Sequence, residues 1–342
     1  MERKTINVGR DQQISCLVAD HSDGRGELLL FCHGFPGLAF SWRHQLRYFA
    51  RAGYVAVALD MRGYGDSSAP EDVADYSLDH IRDDLHAVLA HFGRSSAVFV
   101  GHDFGAPVVW NMALHEPESV VALVVLSVPY DFDYYGRRGL APAQSTMPPT
   151  QQFSQVAQEH FLHAHYFQSP GVAERELDAN CSRFLSRLFW SLSARGALLG
   201  SFASAPGTAG YLDVLPPAGM NLPWSWLSQA DFAVYADMFS RTGFRGALNW
   251  YRVADINWQL NKRYVGQSID VPVSFIAGSN DPVLTMSGEG ALAFMAERVP
   301  GLEVRIVDGA GHWVQQEQAE EVNAEMRRFL QSVYSREKKN GR

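Results

Sequence analysis

The chain has 342 residues, 46% of them hydrophobic and 19% charged, a globular composition that excludes a disordered, collagen-like or repeat-dominated protein. Its 29 basic and 37 acidic residues leave a net charge of −8; without a basic stripe, nucleic-acid backbones and anionic membrane surfaces are poor partners. At about one domain per 150 residues, the length implies two domains or one large one.

The three cysteines, Cys16, Cys32 and Cys181, are odd in number and lack metal-type spacing, so neither a disulfide framework nor a zinc site is expected. The chain opens on the polar Met1-Glu2-Arg3-Lys4, and no stretch reaches the ~18 apolar residues of a membrane span. Together these predict a soluble, unexported protein in the reducing cytoplasm.

In chain order, β-branched and apolar runs at 5–9, 14–20, 27–33, 55–61, 97–103 and 120–129 predict strands alternating with helices. Ile81, Leu85, Val88, Leu89 and Phe92 share one helical face behind Ser77, a fitting N-cap. From about 134 to 264 the strand signal disappears, and helices are broken by a Gly/Pro/Ala-rich passage at 195–223. Strand signals return at 271–278 and 302–308, and Val322, Met326, Phe329, Leu330 and Val333 mark a final amphipathic helix. The expected organisation is an α/β core in two pieces, 1–133 and 266–342, interrupted by a helical domain at 134–265.

Gly101-His102-Asp103-Phe104-Gly105 directly follows a predicted strand and precedes an apolar helix. It fits the Gly-x-nucleophile-x-Gly elbow, in which glycines relieve crowding at a sharp strand-to-helix turn. Alone, the pentapeptide is equally a capping turn. Asn280-Asp281-Pro282 and Gly309-Ala310-Gly311-His312-Trp313 also follow strands, at the carboxyl ends where open α/β sheets bind ligands. Nucleophile, acid, histidine is the chain order this architecture uses for a triad, which gives Asp103, Asp281 and His312 joint weight. Asp131 is a second candidate for the acid. His33-Gly34-Phe35-Pro36 follows another strand; its Phe35 N–H, with that of Phe104, would form an oxyanion hole. His33 itself reads as structural, bonding the loop, and Asp60 to Ser67 as scaffold.

These residues resemble the α/β-hydrolase fold and, within it, the epoxide hydrolases. The resemblance covers nearly the whole chain through the motifs above, the string Tyr166-Phe167-Gln168-Ser169-Pro170-Gly171, and the string from Gly243 through Asn249-Trp250-Tyr251. It implies a mostly parallel eight-stranded sheet flanked by helices, an inserted helical cap, a homodimer formed through the cap, and catalysis with no metal or organic cofactor. It implies ring-opening acids in the cap: Tyr251 matches one, and His163 stands where a second tyrosine is usual, with Tyr166 as substitute. Pro36, Phe167, Trp190 and Trp313 are the expected contacts to a small hydrophobic epoxide, with Phe189, Trp224 and Trp226 adding aromatic surface. A metal site at His160, His163 and His165 lacks a fourth group and a recognisable motif.

The nucleophile's identity also selects the reaction. Attack by serine on an sp3 carbon leaves an ether that water does not readily cleave, whereas attack by aspartate leaves an ester that water opens at the acyl carbon. Asp103 therefore points to displacement at carbon. Haloalkane and haloacid dehalogenases share that logic, but Phe104 offers no N–H to a halide and Ala164 stands where a tryptophan would follow the cap histidine. A non-catalytic ligand-binding relative would be expected to lack a triad member.

Overall fold

A computed structural model describes residues 1–130, 147–264, 267–288 and 290–339. Eight strands form at the expected places: β1 Glu2–Gly9, β2 Gln12–Asp20, β3 Leu28–Cys32, β4 Val55–Leu59, β5 Ala97–His102, β6 Val120–Leu126, β7 Val273–Gly278 and β8 Leu302–Val307. They build one sheet in the order β1-β2-β4-β3-β5-β6-β7-β8. β2 runs antiparallel to β1 and β4, and every other pairing is parallel.

The central strands are buried on both faces, so they read as continuous apolar runs rather than alternating ones. Their side chains still alternate between two cores. Leu28, Leu30, Phe99 and Val125 face the helices Leu78–His91 and Gly105–His115 together with the inserted helices. Leu29, Phe31, Val98 and Val124 face the helix Arg43–Arg51 and the final helix Ala319–Lys339. Ser77 caps the helix Leu78–His91, its hydroxyl accepting from the His80 N–H, and Val322, Met326, Phe329, Leu330 and Val333 all enter the second core. Both amphipathic faces thus pack as their spacing predicts.

Of the strands that end earlier than the apolar runs imply, two stop at a change of backbone handedness. β5 stops at His102 because Asp103 takes φ 53°, and β6 stops at Leu126 because Ser127 takes φ 71°, a left-handed backbone that no strand continues through. Between β6 and β7 every regular element among the described residues is helical. Asp131 lies outside the described residues. Among the described residues, no helix is long and apolar enough to cross a membrane.

Candidate active site

The elbow joins β5 to the helix Gly105–His115 with Asp103 at its apex. Space decides its glycines: a Cβ on Gly105 would lie 2.0 Å from the Cys32 carbonyl oxygen, and one on Gly34 would lie 2.1 Å from Asp103 Oδ1 and 2.3 Å from the Phe104 nitrogen. The turn after β3 and the elbow after β5 therefore approach as closely as backbone permits. The Phe35 N–H donates to Asp103 Oδ1 at 2.8 Å. Beneath, His33 holds the turn: its Nδ1 donates to the Gly34 carbonyl at 2.8 Å and its Nε2 accepts from the Met61 N–H at 3.0 Å. That pattern requires the neutral ring, and burial lowers its pKa to about 4.

His312 follows β8 and faces Asp103 across the sheet end, its Nε2 3.4 Å from Asp103 Oδ2. Its Nδ1 lies 3.2 Å from Asp281 Oδ1 and 3.4 Å from Oδ2. Asp281 caps the short helix Pro282–Met286, Oδ1 accepting from the Val283 N–H at 2.8 Å, which fixes the carboxylate against the imidazole. Below the ring, the His312 carbonyl accepts from His102 Nε2 at 2.7 Å and from the Ser127 hydroxyl at 3.2 Å. Burial opposes charge on His312, but the carboxylates of Asp281 and Asp103 outweigh it and hold its pKa well above the ordinary value. Burial likewise opposes ionisation of Asp103, yet His312, His102 and the Phe35 N–H hold it well below the usual carboxylate range.

The cap wall stands opposite. Tyr251, on the helix Arg245–Arg252, sets its ring edge-to-face on Phe104 at 4.6 Å and on Phe35 at 5.6 Å. His163, opening the helix His163–Tyr166, lies edge-to-face with Tyr251 at 5.5 Å. One amide ties the two helices: Gln168 Nε2 donates to the carbonyls of Ala164 at 2.8 Å and Tyr251 at 3.1 Å. Arg252 adds a second tie, donating to the Phe167 carbonyl at 2.9 Å and pairing with Glu174 at 2.8 Å. From the core side, Trp250 Nε1 donates to the Arg62 carbonyl at 2.8 Å, and Arg62 is itself locked by a buried bidentate pair with Asp84. Asp103, His312, His163 and Tyr251 line one cavity.

The comparisons with known proteins bear on the fold and the family. Residues 27–319 match the model of the alpha/beta hydrolase fold family. The chain is 41% identical over 315 residues to epoxide hydrolase A of Mycobacterium tuberculosis, covering 92% of this chain and 93% of that protein. It is 37% identical to epoxide hydrolase 3 of Siraitia grosvenorii, covering 90% and 93%. The chain belongs to the epoxide hydrolases of the α/β-hydrolase fold. The crystal structure of epoxide hydrolase A from Mycobacterium thermoresistibile superposes with a TM-score of 0.84 at 40% identity, covering 96% of this chain and 98% of that one.

Within this epoxide hydrolase cavity, the sequence-predicted residues divide. Phe35 and Phe104 line it beside Asp103, His312, His163 and Tyr251, and Asp281 sits behind His312. Pro36, Phe167, Trp190 and Trp313 are not among the lining residues. Phe167 is fully buried against Tyr251 at 4.8 Å and Phe35 at 5.8 Å, so it backs the wall. Trp313 donates its indole N–H to the Phe189 carbonyl at 2.9 Å. Trp190 packs on Trp224 at 5.3 Å, and Trp224 on Trp226 at 5.5 Å. Helical periodicity explains the difference: on the helix Cys181–Leu192, Leu188 and Leu192 face the cavity, which turns Phe189 and Trp190 to other neighbours. Tyr166 donates its hydroxyl to Glu176 Oε2 at 2.9 Å and does not line the cavity. Two residues escaped sequence reasoning. His102 occupies a variable position of the elbow motif, and the cavity-lining Tyr211 falls in the Gly/Pro-rich passage where no periodicity marks a face.

Proposed function

We propose that the protein hydrolyses epoxides to vicinal diols through an ester on Asp103. The observation that carries this reading is the placement of one strained-turn carboxylate, one carboxylate-paired histidine and two cap-side proton donors on a single cavity. Asp103 Oδ1 is occupied by the Phe35 N–H, which leaves Oδ2 to attack an epoxide carbon from behind. As that bond forms and the ring carbon–oxygen bond breaks, Tyr251 and His163 act as joint donors and a proton passes to the departing oxygen. The product of this half-reaction is a hydroxyalkyl ester.

Esterification has an electrostatic consequence. It removes the negative charge of Asp103, one of the two carboxylates that hold a proton on His312, so the imidazole's pKa falls when a base is needed. His312, having released its proton to solvent and oriented by Asp281, then takes a proton from water attacking the ester carbonyl and passes it to the diol oxygen as the acyl–oxygen bond breaks; the second water proton then returns to His312 as Asp103 ionises. The oxyanion develops on Oδ1, where the amides of Phe35 and Phe104 receive it. Diol release restores the carboxylate, and the residues present account for each step without a cofactor.

The alternative with the same nucleophile, halide displacement, needs N–H donors beside Asp103. The indoles of Trp250 and Trp313 instead donate to the carbonyls of Arg62 and Phe189, which favours the epoxide reading. We further propose that residues 134–265 act as one cap over a core formed by 1–133 and 266–342. A reducing cytoplasm is the compartment that suits three free, buried cysteines.

The deciding experiment is intact-mass analysis of a His312→Gln variant after separate incubation with mixed epoxides and mixed haloalkanes, followed by peptide mapping. The expected result is a mass gain equal to the whole epoxide, mapped to Asp103. A gain equal to an alkyl group without its halogen would make the protein a dehalogenase; no adduct from either set would point to a non-catalytic relative.

A further inference from the structure

Among the described residues, five polar side chains line the cavity: Asp103 and His312 on the nucleophile side, and His163, Tyr251 and Tyr211 on the cap side. The other described lining residues are apolar. Tyr211 opens the four-residue helix Tyr211–Val214 and is 3% exposed. Its position is built rather than incidental. The N–H groups of Tyr211 and Leu212 donate to Glu176 Oε2 and Oε1 at 3.0 and 3.3 Å, so a carboxylate from the helix Val172–Ala179 pins the turn. The Tyr211 ring stacks on His163 with centroids 6.1 Å apart and planes at 23°, and packs against Phe167 at 5.5 Å and Phe184 at 5.4 Å.

This packing accounts for the ring and the backbone but not for the hydroxyl, which has no hydrogen-bond partner among the described residues. The hydroxyl oxygen keeps some exposure although the residue as a whole is buried, which with Tyr211 lining the cavity leaves that oxygen open to it; phenylalanine would fill the same space without placing a donor there. The hydroxyl therefore fits a site whose acceptor is the ligand. Burial, reinforced by the charge of Asp103, holds its pKa well above that of an ordinary tyrosine, so the group remains a donor at every working pH.

We propose that Tyr211 is a further catalytic residue of ring opening, its hydroxyl donating a hydrogen bond to the epoxide oxygen alongside Tyr251 and His163. The inference rests on the epoxide reading above. The Asp103 Oδ2–carbon bond forms and the ring carbon–oxygen bond breaks, leaving the electron pair on that oxygen. The proton that completes the new hydroxyl comes from the Tyr251 and His163 pair; Tyr211 keeps its own and stabilises the developing charge. A donor at this place strengthens its bond as charge builds, so it acts on the rate of alkylation more than on substrate binding.

The test compares Tyr211 with Tyr211→Phe in the His312→Gln background, where the ester accumulates. Rapid-quench mass spectrometry reads the rate of adduct formation with styrene oxide, which carries no second oxygen, and with phenyl glycidyl ether, which does; thermal melting confirms that both proteins are folded. The expected result is alkylation at least ~10-fold slower for both epoxides, with the adduct still on Asp103. A smaller change with styrene oxide overturns the inference. A loss confined to phenyl glycidyl ether also overturns it, by assigning the hydroxyl to a remote substrate oxygen. Absence of any adduct with Tyr211 present overturns the epoxide reading itself, an outcome distinct from rapid alkylation in Tyr211→Phe.

Discussion

The two walls of the cavity are built by different means. On the sheet side, Asp103, Asp281 and His312 each stand within a few residues of a strand's carboxyl end, and local features fix each one: a left-handed turn, a helix cap, a backbone carbonyl held from below. On the cap side, His163, Tyr211 and Tyr251 come from three short helices far apart in sequence. They are held by cross-links such as the Gln168 amide and the Glu176 carboxylate. A wall of strand ends is rigid because the sheet is rigid; a wall of short helices is only as exact as its polar ties. In the proposed mechanism the two walls share the ring opening, attack on carbon coming from the sheet side and leaving-group protonation from the cap, whereas ester hydrolysis belongs to the sheet side alone.

Breaking the sheet side has the largest expected effect. Asp103→Ala is expected to lower turnover by ~10⁴-fold or more and to abolish the covalent adduct, since no other group replaces the nucleophile; a mapped adduct at another residue would refute the assignment. Tyr251→Phe tests the cap side: alkylation is expected to slow by ~10²-fold while hydrolysis of preformed ester stays within a few-fold of the parent, measured by single-turnover quench. Equal losses in both steps would dissolve the proposed division between the walls.

Two pH experiments sharpen the comparison. A neutral or charged histidine donates differently across the physiological range, whereas tyrosine does not change, so His163→Tyr is expected to remove a pH dependence of single-turnover ring opening. Identical profiles in parent and variant would exclude His163 as a donor. The smallest effect concerns stability. Burial holds His33 at about 4 and His102 at about 3, against roughly 6.5 in the unfolded chain. As pH falls below about 6.5 the unfolded state binds protons that the native state does not, so stability falls until the native pKa values are reached. His312 has the opposite shift: its contribution is complete below about pH 6.5 and is lost at higher pH, so between pH 7 and 5 one such group offsets only a minor part of the loss from two. Urea denaturation at pH 7 and pH 5 is expected to differ by on the order of 2 kcal/mol; equal midpoints with equal slopes would show that these rings titrate normally.

Legibility in the sequence followed the same division. The central strands were marked by their apolar runs, because parallel strands there are buried on both faces, and the differences fell at strand ends such as Asp103 and Ser127, where backbone handedness rather than composition stops the ladder. The pocket lining was less legible. Trp190 and Trp313 are the bulky aromatics a reader expects around an apolar substrate, yet one turns toward Trp224 and the other gives its N–H to Phe189, while the smaller Leu188 and Leu192 face the cavity.

What the sequence determined by itself was the sheet, its interruption by helices, and the residues placed at strand ends, because strand periodicity, glycine-flanked turns and caps are interactions among near neighbours. Only the tertiary structure decided that Tyr211 shares a cavity with Asp103, that Gln168 joins the helices of His163 and Tyr251, and that His102 supports His312. Those contacts join residues between 4 and 210 positions apart in the chain, and short helices without a strong apolar stripe carry no local signal of which face will meet a neighbour. The faces are set when the inserted helices and the sheet pack together and enclose the cavity around Asp103.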